Sequence, residues 1–240
     1  LGAEAYRVLR TNLQFSALDK PLATLVCTSA APGEGKSTTV ANLAVVMAQT
    51  DRRVILVDAD LRRPSLHKIL KLPNNVGLST ALLDKRRDPQ AYLQETDVAN
   101  LRVMTTGPIP PNPAEMLNSI RMHEMIELLK GEADVVLFDT PPVLAVADTS
   151  ILASQVDGTL LVVWAGRTRG ELLAQAADRL QSLGIQPLGV VLNKLTQRRS
   201  GYYYSNYYYY ASREGGDEGG SGRAGRRRRR SSQPEPEQAA

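Results

Sequence analysis

Eight residues constrain this chain more than any others: Ala30 to Ser37, AAPGEGKS, set between an apolar run and a stretch of helical pattern. Small residues at such a place let successive backbone N–H groups curl around a phosphate, and a helix starting directly afterwards adds positive potential. The pattern matches the strand–loop–helix phosphate motif except that Ala30 stands where its first glycine falls. Pro32 and Gly33 shape the turn, while Glu34, Gly35 and Thr38 complete the loop and the helix start. Lys36 is placed to reach the β- and γ-phosphates, and the Ser37 hydroxyl to ligate Mg2+. A glycine-rich turn with an incidental lysine is the competing reading, and the flanking strand and helix patterns make it the weaker one.

Those flanks extend into a regular alternation. Short β-rich apolar runs at 24–30, 54–59, 101–106, 135–140, 159–165 and 188–193 predict strands. Helical patterns at 36–49, 113–129, 149–155 and 171–183 lie between them, and a further helix at 4–15 precedes the first strand. Several runs are apolar nearly throughout, as strands buried on both faces should be. The expected fold is α/β, with a mostly parallel central sheet and helices on both faces, over residues 1–200. After Lys194 the composition changes. A tyrosine cluster at 201–211 leads into an Arg/Gly/Ser-rich stretch, 212–240, which cannot bury a core and is expected to be a disordered tail.

Charge follows the same division. Residues 1–210 hold 22 Lys/Arg and 20 Asp/Glu, a difference of +2, whereas 211–240 hold 7 and 5, with Arg226 to Arg230 consecutive. The folded part is nearly neutral, so no specific nucleic-acid partner is expected. The single cysteine, Cys27, excludes an internal disulfide framework and reads as a small buried strand residue. His67 and His123 have no clustered ligands near them, and no zinc-type spacing is present. No run approaches the roughly 18–20 apolar residues that span a bilayer. The first residue is Leu1 rather than Met, which leaves an upstream segment open.

Two acidic segments convert the loop into a constellation. VILVDAD places Asp58 and Asp60 at the end of the second strand run, and VVLFDTPP places Asp139 at the end of another. Ligands of open α/β sheets bind outside those strand ends. Three carboxylates beside phosphates would repel them without a metal, so the set implies Mg2+. Each aspartate alone would read as a cap or turn former. All three following apolar strands would not. Asn193-Lys194 begins like a guanine-reading motif, but Thr196 occupies the position of its aspartate, so ATP is expected, with Asn193 counted among the nucleotide-binding residues alongside Pro32 to Thr38.

Together these segments resemble the bacterial tyrosine kinases (BY-kinases) of capsule and exopolysaccharide synthesis. The resemblance covers roughly residues 1–210 and rests on PGEGKS at 32–37, DADLRRP at 58–64, PPNPAEML at 110–117, DTPP at 139–142 and the tyrosine cluster. It implies a kinase built on the P-loop ATPase fold. Lys36 and Ser37 would bind phosphate and Mg2+, Asp60 and Asp139 would hold the metal, and Asp58 would lie near the acceptor hydroxyl. It further implies a homo-oligomeric ring, an activating membrane polysaccharide co-polymerase fused upstream or separate, and a place in the cytoplasm at the inner face of the plasma membrane. Glu4, Arg7 and Arg10 match the family's Glu-x-x-Arg-x-x-Arg oligomerisation signature, on an N-terminal helix expected within 1–20. Without the resemblance they would read as a solvated helix face.

Seven of the nine tyrosines, Tyr202, Tyr203, Tyr204, Tyr207, Tyr208, Tyr209 and Tyr210, fall within nine positions. Disordered tails rarely concentrate aromatics. Beside a kinase-like site they read as autophosphorylation acceptors, modified by a neighbouring subunit. The alternative is a partitioning-type ATPase switch that controls assembly without kinase activity. Such relatives usually carry an additional lysine early in the loop, where this chain has Ala31.

Overall fold

A computed structural model describes residues 2–16 and 22–195. The tyrosine cluster and the Arg-rich stretch lie outside the described residues. Seven strands form one sheet: β1 Thr24–Ser29, β2 Val54–Asp58, β3 Gln94–Glu95, β4 Leu101–Met104, β5 Val135–Asp139, β6 Gly158–Trp164 and β7 Gly189–Asn193. Their spatial order is β3-β4-β2-β5-β1-β6-β7. Every pairing is parallel except the two-residue β3 against β4. The mostly parallel sheet expected from the apolar runs is therefore present, with β3 as an addition. At two residues, β3 is too short to leave a pattern in sequence.

Strand alternation sorts side chains between two cores. Leu25, Cys27, Val54, Leu56, Val135, Leu137, Leu160 and Val162 face one side. Val26, Ile55, Val57, Val136, Phe138, Leu161 and Val163 face the other. Helices α1 (Gly2–Ser16) and α2 (Lys36–Ala48) cover the first face. The second is covered by α4 (Leu78–Leu83), α5 (Pro113–Leu117), α6 (Ile120–Glu132), α7 (Asp148–Ala153) and α8 (Gly170–Gln181), while the short α3 (Leu66–Ile69) adds Leu66 to the first. Phe138 is wholly buried, and its truncation to alanine would cost roughly 3–5 kcal/mol. The single helix expected over 113–129 is two helices. The break falls at Asn118-Ser119, where the Ser119 hydroxyl caps α6 by accepting from the Met122 N–H at 3.2 Å.

This wiring makes the crevice. From β1 the chain crosses one face through α2 to β2, and from β5 it crosses the other through α7 to β6. The loops leaving the adjacent strands β1 and β5 thus diverge, the usual position of a ligand site in such sheets.

Candidate nucleotide-binding and catalytic site

The loop from Ala30 to Gly35 carries the chain from β1 into α2. Gly33 and Gly35 have φ of +79° and +94°, the left-handed region that glycine adopts without cost. A Cβ at Gly35 would also lie 2.1 Å from Asn193 Nδ2. The loop is braced by its own glutamate: buried Glu34 accepts from the Ala31 N–H at 2.8 Å and from the Thr168 hydroxyl. Asn193 Nδ2 donates to the Glu34 carbonyl at 2.9 Å, and Lys194 Nζ to the Gly33 carbonyl at 2.7 Å. Lys194 Nζ also sits 3.7 Å from the centre of the Trp164 ring, with the Arg167 guanidinium at 4.3 Å. Pro32, Gly33 and Thr38 are left at the surface.

At the first turn of α2, Lys36 Nζ lies 3.2 Å from Ser37 Oγ, 3.1 Å from Asp60 Oδ2 and 3.5 Å from Asp139 Oδ1. Four of the residues singled out in the sequence thus converge on one point. Burial alone would discharge Lys36, but Asp139 and Asp60 more than offset it, and its ammonium is held above the ordinary lysine range. Asp139 is wholly buried, and both its oxygens lack a hydrogen-bond donor. Burial pushes its carboxyl up to about 7, against the pull of Lys36 and with the push of Asp58.

Asp58 is equally buried but is satisfied. Its Oδ2 accepts from the Ser65 and Leu66 N–H groups at 3.0 and 2.9 Å, and its Oδ1 from the Asp60 N–H at 3.3 Å. Burial raises its pKa, opposed by those Leu66 and Ser65 bonds. Asp60 Oδ1 in turn accepts from the Arg63 N–H at 2.9 Å. The segment 60–66 is wound around these two carboxylates.

The donor set suits a hard divalent cation. Ser37, Asp60 and Asp139 offer oxygens only, already gathered about a positive charge, and the orphaned Asp139 oxygens have unused capacity. These three would hold Mg2+.

Glu4, Arg7 and Arg10 lie elsewhere, on α1. Glu4 and Arg7 form an exposed pair at 2.9 Å, whereas Arg10 Nη1 donates to the Val46 carbonyl of α2 at 2.8 Å. Sequence reasoning missed Trp164, Thr168 and the Lys194 side chain as loop supports. Their only signal was position, at or just after the ends of β6 and β7. It also missed Arg62, whose guanidinium is bidentate on buried Asp148 at 2.8 and 3.0 Å.

The fold and site define a P-loop nucleotide-binding domain. Agreeing with this, the family described as the CobQ/CobB/MinD/ParA nucleotide binding domain matches residues 25–214. Tyrosine-protein kinase YwqD of Bacillus subtilis is 46% identical over 203 residues, which cover 84% of this chain and 85% of the relative. Tyrosine-protein kinase Wzc of Salmonella typhimurium is 38% identical over 84% of this chain, which spans only 28% of that longer relative. Among solved structures, the kinase domain of the Escherichia coli tyrosine kinase ETK superposes with a TM-score of 0.77 at 35% identity, covering 82% of this chain and 76% of that one. The chain belongs to the bacterial tyrosine kinase family. Among the described residues, no helix is long and apolar enough to cross a membrane.

Proposed function

We propose that this chain transfers the γ-phosphoryl group of ATP to tyrosines of its own C-terminal cluster, between subunits, as part of the control of capsule or exopolysaccharide synthesis. One observation carries the catalytic half of this reading: Ser37, Asp60 and Asp139 all lie within 3.5 Å of the Lys36 ammonium at a helix start. Lys36 and the loop N–H groups bind and orient the polyphosphate, and Lys36 moves from its carboxylate partners onto phosphate oxygen as nucleotide enters. Mg2+, when held by Ser37, Asp60 and Asp139, neutralises charge on the phosphates. The backbone of 60–66, fixed by Asp58, keeps the carboxylates in register beside the loop. Asp58 is our assignment for the group that accepts the tyrosine proton, a role supported by the family resemblance. Asn193 holds the loop wall on the side away from these acids.

The domain would comprise residues 1–200, with the acceptors Tyr202 to Tyr210 following. Glu4, Arg7 and Arg10 would join neighbouring subunits into a ring at the inner face of the plasma membrane, beside a membrane activator. Within the chain Arg10 ties α1 to α2, so its part in such a ring would be to hold that helix in place.

Two measurements test this. Incubation with γ-labelled ATP and Mg2+ should place label on tyrosine; label appearing only in free phosphate would replace the kinase by a hydrolytic assembly switch. A Lys36→Ala chain mixed with a chain lacking residues 202–210 should become labelled. No label there, with concentration-independent labelling of the intact chain, would make transfer intramolecular.

A further inference from the structure

Beside the carboxylate site lies a cavity of about 660 Å3, lined by none of the side chains placed on nucleotide, metal or acceptor above. Its wall combines Arg62, Arg63, His67 and Lys68 with the apolar Pro64 and Ile109, and it contains no acid. The size falls within the ~300–1,000 Å3 of ligand pockets. Arg62 is committed to Asp148. Arg63 and Lys68 are exposed, and among the described residues neither side chain has an ion-pair partner. His67 adds a buried Nδ1 without a hydrogen-bond partner.

Position gives this cluster meaning. The backbone of the same segment holds the site acids, with Arg63 N–H on Asp60 and the Ser65 and Leu66 N–H groups on Asp58. One short segment therefore separates an anionic pocket from a cationic one. Asp60 and Arg63 are three residues apart, so their Cα atoms are at most roughly 10 Å apart.

We infer that this cavity binds a phosphotyrosine side chain on the tail of a second copy of the chain, holding a once-modified tail so that a nearby tyrosine enters the carboxylate site. The inference rests on the kinase reading above. A tyrosine phosphate carries about −1.5 to −2 charge and strong acceptor oxygens, which suit Arg63 and Lys68 through charge-assisted hydrogen bonds. Pro64 and the exposed Ile109 offer apolar surface to the ring. The nucleotide's own phosphates are served by the loop at 30–37, so these cations are not duplicated by that site. The tail matches the geometry. Each of the seven tyrosines has another as its chain neighbour, and two or three extended residues span ~7–10 Å. Every tyrosine of the cluster except Tyr203 has another two or three positions away, so a chain anchored by one of those six phosphotyrosines presents another tyrosine within reach. The first phosphate would speed the next.

The test uses a fluorescent peptide of residues 200–211, unmodified or phosphorylated at Tyr207, titrated by anisotropy into the full dephosphorylated chain. A non-hydrolysable ATP analogue and Mg2+ are present at saturation to fill the nucleotide site. The phosphopeptide should bind at least tenfold more tightly than the plain peptide. Arg63→Ala combined with Lys68→Ala should abolish that preference and leave plain-peptide affinity unchanged. Phenyl phosphate should displace the phosphopeptide from the wild-type chain at lower concentration than inorganic phosphate. Equal affinities, a preference that survives the double substitution, or equally good displacement by inorganic phosphate would each overturn the inference. The displacement arm needs no variant, so a misfolded variant does not rescue the idea. No phosphate is transferred in this assay, so its failure is distinct from failure of the kinase reading, which the labelled-ATP experiment decides.

Discussion

Strands β2 and β5 carry charges at both ends, and the two ends are built in opposite ways. At the N-terminal end, Arg53 meets Asp134: the guanidinium reaches Oδ1 at 2.8 and 3.2 Å, and the Arg53 N–H reaches Oδ2 at 2.8 Å. One cation answers one anion, in solvent. At the C-terminal end, register places Asp58 directly beside Asp139, Asp60 follows, and a single lysine ammonium lies among the three. Like charges opposed across strands are unfavourable, and a buried carboxylate without donors is more so. The same strands therefore close their charges where they only need a scaffold, and gather a surplus of carboxyl groups where a divalent cation would have to sit between them and phosphate.

The sharpest way to break this contrast is Lys36→Ala. It should lower tyrosine phosphorylation by roughly 1000-fold or more, measured as phosphotyrosine on purified protein, while circular dichroism still reports a folded chain. Normal phosphotyrosine would end the assignment of the loop. Next, Asp60→Asn and Asp139→Asn should each lower activity by roughly 100-fold at limiting Mg2+, since each removes a charge from a hard-cation site. Near-normal turnover in either would withdraw that residue from metal binding.

A smaller effect has the opposite sign. Because the folded-state pKa of Asp139 is raised to about 7 from an ordinary 3.8, the native state keeps a proton that the unfolded chain has lost. Apo stability should therefore fall as pH rises from about 4 through 7. Asp139→Asn should remove that fall and melt at least ~2–4 °C higher than the parent at pH 8, equivalent to about 1 kcal/mol for a domain of this size. A lower melting temperature for the variant without ligand would show that the carboxylate is no burden. Smallest of all, Arg53→Ala at the other end should lower the melting temperature slightly and leave phosphotyrosine formation unchanged. A loss of activity there would erase the distinction between the ends.

What sequence reveals follows the physics of each element. The central strands are readable because both faces are buried, so that VILVD and VVLFD are apolar until their final aspartates. The loop is readable because its glycines meet a backbone demand that few other residues satisfy. Helix α3, with four residues, and α4, with six, carry too few turns for a period to emerge. The interruption at Asn118-Ser119 was hidden because the apolar spacing continues across it. Arg10 is a case of ambiguity: its spacing from Glu4 and Arg7 suggested one shared surface, whereas its side chain turns inward to a carbonyl 36 residues away. No local pattern encodes such a long-range partner, and the same holds for Trp164 beside Lys194 and Arg167.

The one cysteine has a use that follows from where it sits. Cys27 is completely buried in β1, its Sγ 3.7 Å from the Lys36 carbonyl, and burial pushes its thiol far above the usual range. Alkylation therefore requires the sheet to open at the root of the phosphate loop, and the labelling rate becomes a native-state clock for that opening. Since a ligand that binds only the closed form stabilises it by RT ln(1 + [L]/Kd), the slowing of thiol modification with added nucleotide would yield an affinity for the chain as it stands, with no tag or substitution built in beforehand.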